Sequence, residues 1–523
     1  MEQLPPGQKS SSSVSIKSEK VVIEPRQDQQ DVEVGMVAAL PHEGSGLKRN
    51  FNMISIMALG FNTSNSWIAI AGSLPLAIAG GGTVTLLYGI LVVCFAMSCT
   101  GLSLAELAAV YPSAGGQYYF TAMLAPAQHH RWLSYLCGMV GIWSWVAIAA
   151  SLSLMITEGI MALVLTYHPT FVAQSWHYFL LYQAVHIMAM AYNVGLLSKT
   201  VWVYDWAFYA SLALFVITTI VCPARSTDHA DSSTVWSHFV NSSSGYWSDG
   251  IVFLTGLSTP SYMLIGLDAT MHMADECLTP ARTIPRAILS TVSIGSVAAF
   301  AFALAMCYSV TDFDRLIDSA SGFPIYDLWA QASRSTACAT VFLVVTIAIM
   351  FVSACAIHST ASRLTWSFAC YNGLFLSGYL KQASQREGVP VYALGLNFVA
   401  CFVIGFLYLA SSSVFNAFVG TASILSQISV TLPIALLIWQ RRSAAYLPPG
   451  RHFGLSLGLG YFCNIVAVIY TMIVTIFLCF PTSFPLTGGN MNYTAPVLGV
   501  IAILTGLNWA FYARGRYEGA HVG

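Results

Sequence analysis

The stretch Gly60-Phe61-Asn62-Thr63-Ser64-Asn65-Ser66 interrupts the first long apolar segment of the chain with a glycine and a run of polar side chains. A second interruption, Ser258-Thr259-Pro260-Ser261-Tyr262 followed by Gly266 and Asp268, lies in the sixth such segment. In hydrocarbon every backbone N–H and C=O needs a hydrogen-bond partner, so irregular backbone is tolerated only inside protein or along a wet cavity. Paired interruptions at corresponding places in two halves indicate a binding site that both breaks share.

The composition predicts a membrane protein with a polar N-terminal tail. Of the 523 residues, 56% are hydrophobic and 8% are charged, which is too little charge for a typical soluble domain. The formal net charge of −1 gives no reason to expect a nucleic-acid partner. Residues 1–50 are polar and poor in aromatics, so we expect a disordered cytoplasmic tail, and no signal peptide precedes Phe51. Because no cysteine pair has CxxC spacing, we predict neither a metal site nor a cofactor.

A transmembrane domain is predicted over residues 51–513, with a short cytoplasmic C-tail at 514–523. A helix needs ~20 apolar residues to cross the hydrocarbon core. That window gives about twelve spans, near 52–77, 84–110, 132–165, 177–197, 200–222, 250–273, 287–310, 337–369, 391–411, 414–439, 454–480 and 495–513.

The loops carry an asymmetric charge that predicts the orientation. With a cytoplasmic N-terminus, most loop Lys and Arg residues fall on the inner side, which places both termini in the cytoplasm. Asn241-Ser242-Ser243 is then a glycosylation sequon in an outer loop.

The residues of the first break have chemistry that suits a small solute. Ser, Thr and Asn side chains bond to their own backbone and offer it an alternative to the helix. Amides freed at the start of the following half-helix would favour a carboxylate. A polar face for helix packing is the alternative explanation. Pro260 and Gly266 in the second break weigh against that alternative, because each weakens a helix.

Asp268 is an ionisable residue within a span, which makes it a functional candidate. The alternative is that its carboxylate caps the half-helix that follows, and both roles could coexist. Phe61 and Tyr262 adjoin the breaks, and aromatic faces bind cationic amines. His358 is more typical of a hydrogen-bonded structural histidine than of a proton relay. Asp275-Glu276 is interpreted as an ordinary acid pair at a cytoplasmic helix end.

Five segments resemble one family of membrane proteins. Residues 103–118, Ser-Leu-Ala-Glu-Leu-Ala-Ala-Val-Tyr-Pro-Ser-Ala-Gly-Gly-Gln-Tyr, resemble the signature after the second helix of amino acid–polyamine–organocation permeases. Residues 266–286 resemble their sixth helix and following loop, and 361–369 the end of their eighth helix. Asn65-Ser66-Trp67 and residues 490–496 are similar to the fungal GABA-permease and choline-transporter subgroup.

The resemblance implies an all-α fold with a five-plus-five inverted repeat, discontinuous helices 1 and 6, and two added C-terminal helices. It places a substrate between helices 1, 3, 6, 8 and 10, and gives Tyr262 the position of an aromatic gate. Where relatives usually carry Arg-Asp-Gly after the eighth helix, this chain has Cys370-Tyr371-Asn372-Gly373. That departure leaves open whether the intracellular charge network of relatives forms here.

The sequence and the resemblance together predict a secondary active transporter. Its expected cargo is a small amine-bearing solute, such as an amino acid, GABA, choline or a related nitrogenous metabolite, moved by alternating access with H⁺. The predicted location is the plasma membrane, with the vacuole or another endomembrane as alternatives. A receptor or transceptor for such a solute is a rival function, and a polytopic membrane enzyme is a weaker one. The predicted substrate-binding residues are Gly60, Phe61, Asn62, Thr63, Ser64, Asn65, Ser66, Tyr262, Met263, Ile265 and Gly266, with Asp268 in gating or coupling.

Overall fold

The computed structural model describes residues 52–519, apart from 75–76, 78–79, 242–244, 247, 311–315, 317–318, 320, 383–388, 411–413, 482–483 and 489–490. The predicted tail at 1–50 lies outside the described residues. The described chain is helical and contains no β-strand, which is what hydrocarbon demands of a spanning chain that does not close into a barrel.

In the first half of the chain, the described residues form ten α-helices and a long 3₁₀ segment. They are α1 (Met53–Ser64), α2 (Ser66–Gly72), α3 (Gly82–Val110), α4 (Gln117–Leu124), α5 (His130–Tyr167), α6 (Ser175–Gly195), α7 (Trp202–Arg225), α8 (Ser232–Ser237), α9 (Asp249–Gly256), α10 (Ser258–Tyr262) and the 3₁₀ segment Leu267–Glu276. A shorter 3₁₀ turn, Leu197–Lys199, joins α6 to α7.

The second half continues with helices of more even length. They are α11 (Pro280–Ser309), α12 (Pro324–Ser333), α13 (Thr336–Cys370), α14 (Ser377–Leu380), α15 (Val391–Gly405), α16 (Leu407–Ala410), α17 (Val414–Trp439), α18 (Leu457–Phe477), α19 (Thr494–Asn508) and α20 (Arg514–Arg516). A π-helical turn, Trp509–Ala513, connects the last two.

Among the described residues, ten helical stretches are long and apolar enough to cross a membrane. The two longest, α5 and α13, have 38 and 35 residues, which exceeds the ~20 that a bilayer needs. Both pass through the centre: α5 packs against α13 and α17, and α13 also packs against α7 and α15. The stretch Thr494–Arg516 is only 17% buried, which places it at the periphery facing lipid.

The first break is a single residue. Helix α1 stays regular through Ser64, and α2 begins at Ser66. Between them Asn65 adopts a left-handed conformation, with φ 36° and ψ 59°. The predicted irregular stretch of seven residues was therefore too long, because Gly60 to Ser64 remain helical. Asparagine tolerates this conformation better than most residues, which makes Asn65 a suitable breakpoint.

The second break is longer and lies slightly later than its polar residues suggested. Ser258–Tyr262 forms the short helix α10, and the turn Met263–Gly266 follows it. Gly266 has a φ of 77°, a conformation open to glycine at little cost. The chain then continues as a 3₁₀ segment, whose weaker geometry is typical of functional hinges.

Candidate functional site

A cavity of about 350 Å³ lies where the two breaks meet. Both broken helices contribute to it, together with α5 and α13. Its lining consists of Asn62, Thr63, Ser64, Asn65, Ile68, Ala69, Ile148, Leu152, Met155, Tyr262, Ile265, Met350, Ser353 and Ile357.

Two asparagine amides are held so that one polar atom of each remains available. Asn62 Nδ2 donates to the carbonyl of Tyr204 at 2.7 Å, which leaves its Oδ1 without a partner among the described residues. Ser211 Oγ accepts from Trp67 Nε1 at 2.9 Å and donates to Asn65 Oδ1 at 3.0 Å. This chain of bonds fixes the Asn65 amide and leaves its Nδ2 unbonded. The break thus presents one acceptor and one donor within a buried region.

Tyr262 joins the second break to the long central helix. Its hydroxyl lies 2.6 Å from Ser151 Oγ on α5, and the side chain is only 3% exposed. The ring therefore bridges the cavity wall between α10 and α5.

Five of the predicted binding residues stand outside the cavity lining. Gly60 faces Thr270 and Thr291, where an added Cβ would meet atoms at 2.7 Å, so its role is close helix packing. Phe61 packs edge-on against Phe208 with ring centroids 5.1 Å apart, turned away from the cavity. The remaining three are Ser66, Met263 and Gly266.

Asp268 lies beside this cavity at the centre of a buried network. Its Oδ2 accepts from Gln117 Nε2 at 2.5 Å and from Trp145 Nε1 at 3.2 Å, and lies 3.2 Å from His272 Nε2. Gly266, not Asp268, occupies the cap position of the 3₁₀ segment. The capping alternative is therefore wrong, and the carboxylate belongs to a side-chain network.

The histidine of this network has an acceptor at each ring nitrogen. His272 Nδ1 lies 3.0 Å from the carbonyl oxygen of Ala114, and a carbonyl can only accept, so Nδ1 carries a proton. Its Nε2 faces the Asp268 carboxyl group. A hydrogen bond there needs one more proton, held on either the imidazole or the carboxyl group. The imidazole is thus held between two acceptors inside the protein.

The signature at residues 103–118 contributes two hydrogen-bonding groups to this network. Ala114 supplies the carbonyl for His272, and Gln117, at the start of α4, donates to Asp268. Gly116 has a φ of 54°, and a Cβ there would lie 3.0 Å from the His272 ring. These residues are more than 150 positions from Asp268, so local pattern alone did not reveal their partnership.

A buried ion pair closes the end of the same 3₁₀ segment. Arg363 on α13 donates to both carboxylate oxygens of Glu276, and its Nη1 also donates to Ser359 Oγ. Glu276 is 6% exposed and Arg363 is 3% exposed. Glu276 thus lies at a helix end, as expected, but it is buried in an ion pair with Arg363. A second cluster joins Glu106 to Arg442 and Arg451.

A larger cavity of about 450 Å³ lies elsewhere, among α2, α3, α11 and α12. Apart from Thr83, its lining side chains are apolar. It offers a polar solute little to bind, so we assign the candidate site to the cavity between the breaks.

Comparison with known proteins agrees with this geometry. The family model "Amino acid permease" matches residues 51–503. A choline transporter of Saccharomyces cerevisiae is 32% identical over 472 residues, which cover 90% of this chain and 83% of the relative. An amino-acid permease of Arabidopsis thaliana is 27% identical over 493 residues, with 90% and 93% covered.

The fold also has a counterpart among solved structures. The manganese transporter of Eremococcus coleocola superposes with a TM-score of 0.54 at 13% identity, covering 90% of this chain and 97% of the other. That likeness concerns the fold alone. The family match spans most of the chain and includes every residue that lines the cavity, so the protein belongs to the amino acid permease family and is a multi-pass membrane transporter.

Proposed function

We propose that the protein carries a small amine-bearing solute, such as an amino acid, GABA, choline or a related nitrogenous metabolite, by alternating access. The observation that carries this proposal is the cavity at the junction of the two helix breaks. Broken helices expose backbone and short polar side chains at membrane depth. The two halves of a broken helix can also tilt relative to each other without breaking the hydrogen bonds of a continuous helix. The names of the relatives, which include choline and amino-acid carriers, support this solute class.

The cavity's polar atoms suit such a solute. Asn62 Oδ1 can accept from an ammonium or hydroxyl group, and Asn65 Nδ2 can donate to a hydroxyl or carboxylate. The Tyr262 ring offers a face for a cationic head group. The remaining lining is aliphatic, which suits a short carbon chain. We place Asn62, Asn65 and Tyr262 in direct contact with the solute.

We further propose that Asp268 and His272 carry the coupling proton. A proton between them allows a hydrogen bond between His272 Nε2 and the Asp268 carboxyl group. Without that proton, the lone pair of the imidazole nitrogen would face a carboxylate oxygen. Trp145 connects this pair to the cavity, because it donates to Asp268 and packs beside Gly266. Protonation of the pair can therefore influence the second break, where the solute binds.

For the architecture we propose twelve spans in a five-plus-five inverted repeat with two added helices. Ten stretches qualify by length and hydropathy. The broken pair α1–α2 and the 21-residue helix α6 would complete the number. The matching breaks in the first and sixth spans support the repeat. We propose the plasma membrane as the location.

A binding screen followed by a flux assay tests the proposed function. Purified protein is heated in the presence of amino acids, GABA, choline and polyamines, because a ligand of the folded state raises its apparent stability. Each hit is then offered as radiolabel to proteoliposomes. Accumulation of the unmodified solute supports a carrier. Binding without flux would support a receptor, and chemical conversion would support an enzyme.

A further inference from the structure

Three metal-ligating side chains from three helices meet behind the cavity wall. They are His186 on α6, His358 on α13 and Cys401 on α15, and they are 0%, 2% and 0% exposed. A ring nitrogen of each histidine and the cysteine sulfur all lie within 4.8 Å of one another. His186 Nδ1 and His358 Nε2 are 3.1 Å apart.

Few hydrogen bonds oppose an ion in this cluster. One contact joins His186 Nδ1 to His358 Nε2, and an ion bound to these two atoms would replace it. The Cys401 thiol donates only to the carbonyl of Val146, at 3.7 Å. A thiol is a weak donor, so little is lost when the sulfur turns towards the histidines.

We propose that His186, His358 and Cys401 form a binding site for a single Cu⁺ ion. Soft thiolate and imidazole ligands suit this ion. Binding joins Cu⁺ to the sulfur and releases the thiol proton to solvent. Cu⁺, one thiolate and two neutral imidazoles then sum to zero charge. Zn²⁺ in the same site would leave a net positive charge in an apolar interior, which is costly.

The geometry needs only small adjustment. Two imidazole nitrogens bound to one ion at ~2.0–2.1 Å lie about 3.3–3.6 Å apart, close to the 3.1 Å between these rings. The larger movement is that of the cysteine sulfur, by about 1 Å, as follows from the 4.8 Å limit and ordinary metal–sulfur bond lengths.

The position of the site suggests a structural role. Ile357, the neighbour of His358 on α13, lines the cavity. An ion held by three helices would fix this part of α13 against α6 and α15. We therefore expect Cu⁺ to raise the melting temperature of the protein.

Copper transfer under anaerobic, reducing conditions tests the proposal. Full-length protein in lipid nanodiscs is titrated against the Cu⁺–bicinchoninate complex, whose colour is lost when the ion is transferred. We expect one Cu⁺ per chain, a higher melting temperature, and an X-ray absorption spectrum with one sulfur and two nitrogen ligands. Cys401→Ser and His358→Gln should lose this transfer, whereas Cys307→Ser, at a buried cysteine on α11, should retain it.

Several results would overturn the site. These are no transfer to the wild-type protein, transfer undiminished in Cys401→Ser, or a spectrum with sulfur ligands alone. Preference for Zn²⁺ over Cu⁺ would overturn the charge argument and with it the assigned ion. If the variants do not fold, the wild-type spectrum decides, because the mixed sulfur and nitrogen set is specific to this cluster.

Discussion

Asp268 and His272 lie one turn apart on the 3₁₀ segment, and the Oδ2 and Nε2 atoms of the pair are 3.2 Å apart. The other ring nitrogen of His272 lies 3.0 Å from the carbonyl oxygen of Ala114, so the imidazole is held between two acceptors. The pair lies next to the second helix break, where Gly266 allows the chain to turn. The proposed proton site and the second break thus involve adjacent residues.

Replacing Asp268 by Asn should separate coupling from binding. The amide keeps the size of the carboxyl group but cannot hold the proton, so uptake driven by a pH gradient should fall ~10- to 100-fold, as expected when a charged hydrogen bond is lost. Exchange of labelled for unlabelled solute should persist, and Asp268→Glu should keep some driven uptake. The comparison uses matched surface expression. Unchanged affinity, maximal rate and pH dependence in the Asn variant would remove Asp268 from the site.

Gly116→Ala should disturb the same pair from the opposite side. A Cβ at this position would lie 3.0 Å from His272, and alanine is strained at a φ of 54°. We expect the ring to move away from Asp268 and the pH dependence of uptake to flatten. Gly378→Ala is the matched control, since a Cβ there meets nothing within 4 Å. A pH profile equal to that of the wild type would show that the ring position is unimportant.

Asn65 has two separable roles, one in the backbone and one in its side chain. Asn65→Gly keeps the left-handed conformation and removes the amide, whereas Asn65→Ala removes the amide and adds ~1–2 kcal/mol of strain. If the amide contacts the solute, both variants should raise the KM, and the alanine variant should also melt at a lower temperature. Wild-type KM in Asn65→Gly would mean that the break matters only through its backbone.

Glu276 and Arg363 should be strongly coupled in stability. Removing one partner leaves the other charge buried, which typically costs 3–5 kcal/mol. Glu276→Gln and Arg363→Gln should therefore lower the melting temperature markedly, and the double variant should recover part of the loss. Arg282→Gln, at an exposed arginine, serves as control and should change stability by at most ~0.5 kcal/mol. Additive losses in the double variant would show that the pair does not act as a unit.

The loop around Asn241 offers a test of orientation. Its side chain donates to the Tyr246 carbonyl and to Asp249, so glycosylation, which replaces one N–H, must break at least one of these contacts. We still expect Asn241 outside, with a mobility shift that a glycosidase removes and Asn241→Gln abolishes. If an impermeant thiol reagent labels Arg282→Cys in intact cells, the start of α11 lies outside the cell and the orientation is refuted.

Ten of the twelve predicted spans coincide with long apolar helices of the described residues, because hydropathy and helix breakers act locally. The apolar runs that form α3, α5 and α13 must be helical in hydrocarbon, and Gly266 marks a real turn. The extent of the first break was harder to predict. Whether Asn62 and Ser64 leave the helix depends on distant partners, and the helix breaks at Asn65, whose amide accepts from Ser211.

The residues that sequence reasoning missed make their contacts over long distances in the chain. Gln117 reaches Asp268 across 151 positions, and His186 reaches His358 across 172. No periodicity or spacing signals such contacts. In the sequence nothing separates Trp145 from the other aromatic residues, whereas Phe61 adjoins a break. In the fold, Trp145 donates to Asp268, whereas Phe61 packs against α7.

Proteoliposomes with an imposed pH gradient provide the decisive measurement. They are loaded at neutral pH, placed in acidic medium and offered radiolabelled choline, GABA or an amino acid chosen by the binding screen. We predict accumulation of unmodified solute above its external concentration, abolished by a protonophore and by Asp268→Asn. Solute that merely equilibrates, and does so at the same rate with and without the pH gradient, would contradict proton-coupled transport.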